Sequence, residues 1–332
     1  MFTVFLKDII RLNFSPKGNE ALQVGIPLRP MLSLMIRLQV NTSDKRRAQS
    51  MRELREIMVS SFDPELSALS IKKFMARDTD IIITPFGKCG TTWTQQIFHT
   101  LRTRGDMDFD DISRVVPWIE TSGSLALDIN REQRANPRGF KSHLSYDQIP
   151  KGCKYINVIR NPVDAAYSSF KFMEGWYIEP GMVSADEFVL TNAKKGDYHR
   201  HFVSWWPHRE DGDVLYLVYE HMKLDLASAI DKIAAFMEIE ADQELLDITK
   251  KYASFQFMTE YKNRFDDAML RKQSEEQVLP EGSDSAKVRV GKVGAHELGK
   301  EAIAAVNEKW KEVVAPVTGF ATYEDLVDSL LC

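Results

Sequence analysis

Cysteine is scarce in this chain. Cys89, Cys153 and Cys332 are the three among 332 residues, too few and too scattered for a disulfide framework or a zinc cluster. Reduced thiols in a cytoplasmic protein are the plain reading. His-x-x-x-His and Cys-x-x-Cys pairs are absent, so no metal is expected. Long apolar runs are absent too. None approaches the ~18 residues of a membrane-spanning helix. The apolar start, Met1–Phe5, is short and is followed by Lys7-Asp8, which argues against a signal peptide. An excess of basic charge is also missing. Lys and Arg total 43 against 48 Asp and Glu, a net charge of −5, so no global field invites nucleic acid. Repeats and low-complexity segments do not occur. What is present is a 44% hydrophobic composition, sufficient for a full core.

From Asp80 onward the pattern reads as α/β. Apolar runs at Asp80–Thr84, Gly139–Lys141, Tyr155–Ile159 and Val214–Tyr219 lack polar alternation, as expected of strands buried on both faces of a parallel sheet. Between them, Trp93, Ile97, Phe98 and Leu101 form one helical stripe, and Ile230, Ile233 and Met237 form another. Asn161-Pro162 is a helix start, with Asn as N-cap and Pro in the first turn. Residues 1–60 read as a helical extension or an amphipathic flap, and 61–332 as a single domain. Within it, residues 262–297 are polar and contain Pro280-Glu-Gly282, which reads as a long lid loop.

The most informative stretch is Thr84-Pro-Phe-Gly-Lys88-Cys-Gly90-Thr91-Thr92-Trp93, directly after Ile81-Ile82-Ile83. A buried strand runs into a glycine-containing turn that opens a helix, so free backbone N–H groups and a positive dipole end converge on one point. Lys88 adds a full charge. The loop lacks the GK[ST] of a Walker A motif, so ATP and GTP fit badly. A second anion site is suggested by Arg160 at a strand end, with Ser168 about two turns into the helix that follows; the plain alternative pairs Arg160 with Asp164. Lys141-Ser142-His143 ends another strand. The histidine is placed to act as a base, and the lysine two residues earlier points to the same face. Arg289-x-Gly291-x-x-Gly294 puts cations among glycines in the lid region. His199, His201 and His208 cluster around Trp205-Trp206, and the i, i+2 spacing of the first two does not share a helical face.

These pieces occur in the order found in PAPS-dependent sulfotransferases of the cytosolic type, which the chain resembles over roughly residues 78–325. Lys88-Cys-Gly-Thr-Thr-Trp93 resembles the family's 5′-phosphosulfate loop, usually written PKSGTTW. Arg160-Asn-Pro-Val-Asp-Ala-Ala-Tyr-Ser168 resembles its 3′-phosphate motif, and Lys141-Ser-His143 its K-[TS]-H. Leu215-Tyr-Leu-Val-Tyr-Glu220-His-Met-Lys223 is similar to LYLxYExMK, Ala253-Ser254-Phe255 to [TA]SF, and the Arg289 loop to RKGxxGDWK. Cys89 stands where serine is usual, Gly87 replaces the proline before the lysine, and Ala295-His296-Glu297 stands in place of DWK.

The resemblance implies a three-layer, P-loop-like α/β fold with a central parallel sheet flanked by helices. It implies PAPS as sulfuryl donor, PAP as product and a small, hydrophobic hydroxyl acceptor. His143 would be the general base, with Lys88 and Lys141 supporting the breaking bond. Lys88, Cys89, Gly90, Thr91, Thr92 and Trp93 would hold the 5′ end and flank the adenine. Ser254 would lie near the adenine, and Arg160, Ser168, Arg289 and Gly291 would hold the 3′-phosphate. A homodimer stays open, since the family's C-terminal K-x3-TV-x3-E dimer motif is not evident. The alternatives are a P-loop small-molecule kinase, which needs acidic Mg²⁺ ligands not found here, and a catalytically inactive nucleotide-binding relative.

Overall fold

Four short apolar runs become one parallel sheet. Strands β1 (Ile81–Ile83), β2 (Gly139–Lys141), β3 (Lys154–Ile159) and β4 (Val214–Val218) lie in the order β2-β1-β3-β4. These are the expected runs, trimmed or extended by a residue at the ends. Ile82 sits opposite Phe140 on one side and Tyr155 on the other, and Ile156 opposite Leu215. The computed structural model describes residues 47–330, apart from 62, 268, 270–283, 286 and 290. Cys332 and residues 1–46 of the expected extension therefore lie outside the described residues, as does much of the expected lid. The described elements belong to one compact unit, Asp44–Cys332.

Helices cover both faces of the sheet because successive strand residues point opposite ways. The helices that matter here are α1 (Met51–Ser61), α2 (Thr91–Thr103), α3 (Pro162–Trp176), α4 (Ala185–Ala193), α5 (Asp197–Trp205), α6 (Leu226–Phe236), α7 (Phe255–Glu260) and α8 (Lys300–Val313). Ile81, Ile83, Ile156 and Val158 pack with Ile97, Phe98 and Leu101 of α2 and with Ile230 and Ile233 of α6. Ile82, Phe140 and Tyr155 pack the other way, with Phe74 and with Trp205 of α5. Three layers result. The apolar stripes read from the sequence are the faces that α2 and α6 bury. Helix α1 is tied in through Ala48, whose N–H donates to the Tyr177 carbonyl at 2.7 Å and whose carbonyl accepts from Glu179 N–H at 2.9 Å.

β1 has β2 on one side and β3 on the other, so the chain departs from it in both directions. In open parallel sheets the crevice at such a switch point, beyond the carboxyl ends of the strands, is where ligands bind. The amino ends are locked instead. Asp80, just before β1, receives Arg138, just before β2, through Nε at 2.8 Å and Nη2 at 2.6 Å, and both side chains are buried. Removing the carboxylate alone would strand a buried guanidinium. Asp80→Ala is expected to cost about 3–5 kcal/mol of unfolding free energy, read from urea midpoints; a loss below about 1 kcal/mol would show the pair to be dispensable.

Candidate active site

The turn leaving β1 uses two left-handed residues. Lys88 has φ 71° and Gly90 φ 93°. Glycine at 90 answers a steric demand as well, because a Cβ there would lie 3.0 Å from the Tyr219 ring. This geometry starts α2 at Thr91, so the first amides of the helix face the crevice without intrahelical partners. Thr91 Oγ1 is buried and has no hydrogen-bond partner, and neither has Arg160 Nε. Such orphaned donors at a helix start suit an anion with several oxygens. Cys89 turns inward. It is buried beneath the loop, with Sγ 3.9 Å from the Gly87 carbonyl, and burial pushes its thiol up to about 12.

A cavity of ≈ 330 Å³ opens over this turn. It gathers Lys88, Gly90, Thr91, Thr92, Trp93, Lys141, His143, Arg160, Ser168, Arg289 and Gly291 around one space. Two of the expected residues are placed differently. Cys89 is not part of the lining. Ser254 is the N-cap of α7, its Oγ accepting Phe257 N–H at 3.2 Å, while Ala253 and Phe255 on either side of it reach the cavity. Trp93 is fixed by donating Nε1–H to the Ala253 carbonyl at 2.8 Å. Arg160 reaches across to the turn, Nη1 donating to the Lys88 carbonyl at 3.0 Å, and its guanidinium lies 4.6 Å from the Tyr219 ring centre. The plain pairing with Asp164 also exists, at 3.9 Å, but that carboxylate accepts Gly294 N–H at 2.8 Å. The Arg160 Nε is left over.

His143 is held from two sides. Its backbone N–H donates to Glu120 Oε1 at 2.7 Å, and its Nδ1 lies 2.7 Å from the Pro85 carbonyl. A carbonyl only accepts, so Nδ1 carries the proton and Nε2 keeps its lone pair. The ring packs edge-on to Trp118. Burial, and then the Lys141 charge, lower its pKa to about 3, so the imidazole is neutral near pH 7. A neutral imidazole with a bare Nε2 is the form that takes a proton.

The cations form a group that the sequence only partly announced. Lys141 Nζ lies 4.0 Å over the Trp118 ring and 3.9 Å from Asp267 Oδ1, and Lys287 pairs with the same carboxylate. Burial alone would raise the Asp267 carboxyl, but Lys287, Lys141 and Lys88 outweigh it and hold it at about 2. Burial, then repulsion from Lys287, lowers Lys88 to about 7. Lys141 falls to about 8, chiefly by burial. Asp267, Lys287, Trp118 and Glu120 were missed from sequence. Asp267 and Lys287 lie in the aperiodic 262–297 stretch, whose residues 268, 270–283, 286 and 290 are outside the described ones.

These shifts carry a sign. In the free site Lys88 loses its proton as pH rises through about 7, and a bound polyanion restores it. Binding of a polyanion at pH 8 is therefore expected to take up about one proton, with affinity falling as pH rises beyond 7. Calorimetry in buffers of different ionisation enthalpy reads this directly, and an uptake of zero would mean that the lysines stay charged in the free site.

Residues 78–317 match the family model described as the sulfotransferase domain. Sulfotransferase 1B1 of Canis lupus familiaris is 33% identical over 208 residues, covering 57% of this chain and 69% of that protein. The amine sulfotransferase of Oryctolagus cuniculus is 31% identical over 228 residues, covering 63% of this chain and 74% of its own. The crystal structure of retinol dehydratase with androsterone and the inactive cofactor PAP superposes with a TM-score of 0.61 at 18% identity, over 82% of this chain and 97% of that one, a likeness of fold.

Proposed function

Because the chain belongs to the sulfotransferase family, we propose that it moves a sulfuryl group from PAPS to the hydroxyl of a small apolar acceptor, with His143 as general base. The observation that carries this reading is the 2.7 Å approach of His143 Nδ1 to the Pro85 carbonyl, which assigns the proton to Nδ1 and the lone pair to Nε2, in the cavity that also holds Lys88 and Lys141. The acceptor's O–H proton passes to Nε2 as its oxygen bonds to sulfur. The sulfur–oxygen bond to the 5′-phosphate breaks, and the electron pair leaves with the phosphate. Lys88 neutralises the charge growing on that oxygen, and Lys141 steadies the sulfuryl oxygens. The amides and hydroxyls at the start of α2 hold the 5′-phosphate, and Trp93 flanks the adenine. Arg160, Ser168 and Arg289 hold the 3′-phosphate, whose oxygens suit the unpartnered Arg160 Nε.

Phe172, Met173 and Trp176 of α3 line the same cavity and supply an apolar wall for the acceptor. A cytoplasmic setting belongs to the same proposal, supported by Cys89 and Cys153 as free buried thiols. The test is incubation with ³⁵S-labelled PAPS and a panel of phenols, sterols, alkyl alcohols and amines, with label expected on hydroxyl acceptors. Label confined to amines would overturn the acceptor class. Thermal stabilisation by PAP but not by ATP·Mg²⁺ is expected; the reverse would favour the kinase alternative.

A further inference from the structure

A second cavity, of ≈ 610 Å³, adjoins the first. Helix α3 explains how. Asp164, Tyr167, Ser168 and Phe172 of α3 face the first cavity, and Pro162, Ala165 and Ala166 face the second. These are neighbouring stripes of one helix, and Ser169 and Met173 belong to both. Met58 of α1 is the third shared residue. The junction is thus one small side chain and two unbranched, adaptable ones. Beyond it the wall is largely apolar, built from Met51 and Leu54 of α1, Phe188 and Val189 of α4 and Val306 of α8. From Met173 to Pro162 the helix runs about 16 Å, which sets the length of the space.

One polar group stands out in that wall. His199 of α5 is 3% exposed and lines the second cavity, and neither ring nitrogen makes a well-aligned hydrogen bond, the Val306 backbone being the polar group that acts on the ring at short range. Burial lowers its pKa to about 4 against a smaller opposing pull from the Val306 backbone, so the ring is neutral, with one N–H and one lone pair that are poorly satisfied by the protein. A buried polar group left poorly satisfied is costly, and it marks where a ligand's polar group would be received.

We propose that the second cavity takes the distal end of a long apolar acceptor, entering past Ser169, Met58 and Met173, and that His199 hydrogen-bonds a hydroxyl or keto group at that far end. This rests on the reading of the first cavity as the site of sulfuryl transfer. The acceptor class it selects is the elongated mono-alcohol or hydroxy-ketone.

The experiment is a series of straight-chain primary alcohols of increasing length, scored for kcat/KM with PAPS and, separately, for Kd on the PAP-bound protein. Ala166→Phe fills the second cavity without touching the first. In the wild type each methylene that enters should gain about fourfold, the equivalent of about 0.8 kcal/mol. In Ala166→Phe that slope should flatten for long chains, with short alcohols unchanged. His199→Leu should cost about tenfold for a chain ending in a hydroxyl or ketone and nothing for a plain chain. Equal slopes in wild type and Ala166→Phe, in both kcat/KM and Kd, would overturn the proposal. Chain-length-dependent Kd abolished by Ala166→Phe supports the cavity even where no alcohol is sulfated, and that last result would sink the transfer reading instead.

Discussion

His143→Ala is expected to lower kcat by ~10²–10⁴-fold while leaving PAP affinity within about threefold of wild type. The asymmetry follows from what His143 touches. Its Nδ1–H is spent on the Pro85 carbonyl and its backbone N–H on Glu120, so the one free function is the Nε2 lone pair. Removing the ring takes away a proton acceptor and no anion ligand. The bound PAP would therefore still see the α2 amides, Lys88 and Arg160. His143→Gln is expected to behave like the alanine variant, because an amide holds position without basicity. Steady-state rates with labelled PAPS and a PAP titration check both halves. Full turnover in His143→Ala would remove the base assignment, and a large loss of PAP affinity would mean that the ring supports the phosphate loop.

Lys88→Ala is expected to lower kcat by ~10²–10³-fold and to weaken PAP as well. In the proposed mechanism Lys88 serves the ground state as a cation and the transition state as the partner of the leaving oxygen, so both constants should move. Backbone strain does not confuse the comparison, since lysine and alanine carry the same Cβ into the left-handed conformation at φ 71°. The side chain is poised by its surroundings, lying 4.6 Å over the Phe172 ring and near Lys287, Asp267 and Arg160. The variant should also blunt the rise in PAP affinity as pH falls through about 7, because the lysine that titrates there is gone. An unchanged kcat in Lys88→Ala would leave the leaving oxygen to Lys141 or Lys287. Lys88→Arg restores charge but spreads it over a planar fork, and partial recovery is the expected result.

The sheet was legible because its strands are bare apolar runs, and a run buried on both faces has little else to be. The loop at 84–93, His143 and Arg160 were legible for a different reason. Each sits where a strand ends, and a parallel sheet brings all such ends to one edge. Asp267 and Lys287 were not legible, since nothing local marks them. Their importance arises from burial beside Lys141, a contact between residues far apart in sequence. Glu120 was hidden likewise, its role being to hold the backbone of His143 from another segment. Ser254 shows a local job that its motif did not announce: its Oγ caps α7 by accepting Phe257 N–H, which leaves the O–H as a donor. The tautomer of His143 depends on Pro85, a residue whose side chain has no chemistry of its own.

Arg160 donates to the carbonyl of Lys88, so the arm assigned to one phosphate braces the loop assigned to the other. In the proposed complex that strut would make the two ends of the nucleotide a single thermodynamic unit. A ligand with both phosphates tightens both anchors at once, whereas one with a single phosphate leaves the protein to hold half of the frame unaided. By reciprocity, whatever orders the Lys88 turn must favour occupancy at Arg160 to the same degree. Discrimination against singly phosphorylated nucleotides would then be a property of the frame's cooperativity as much as of the charges that touch the ligand.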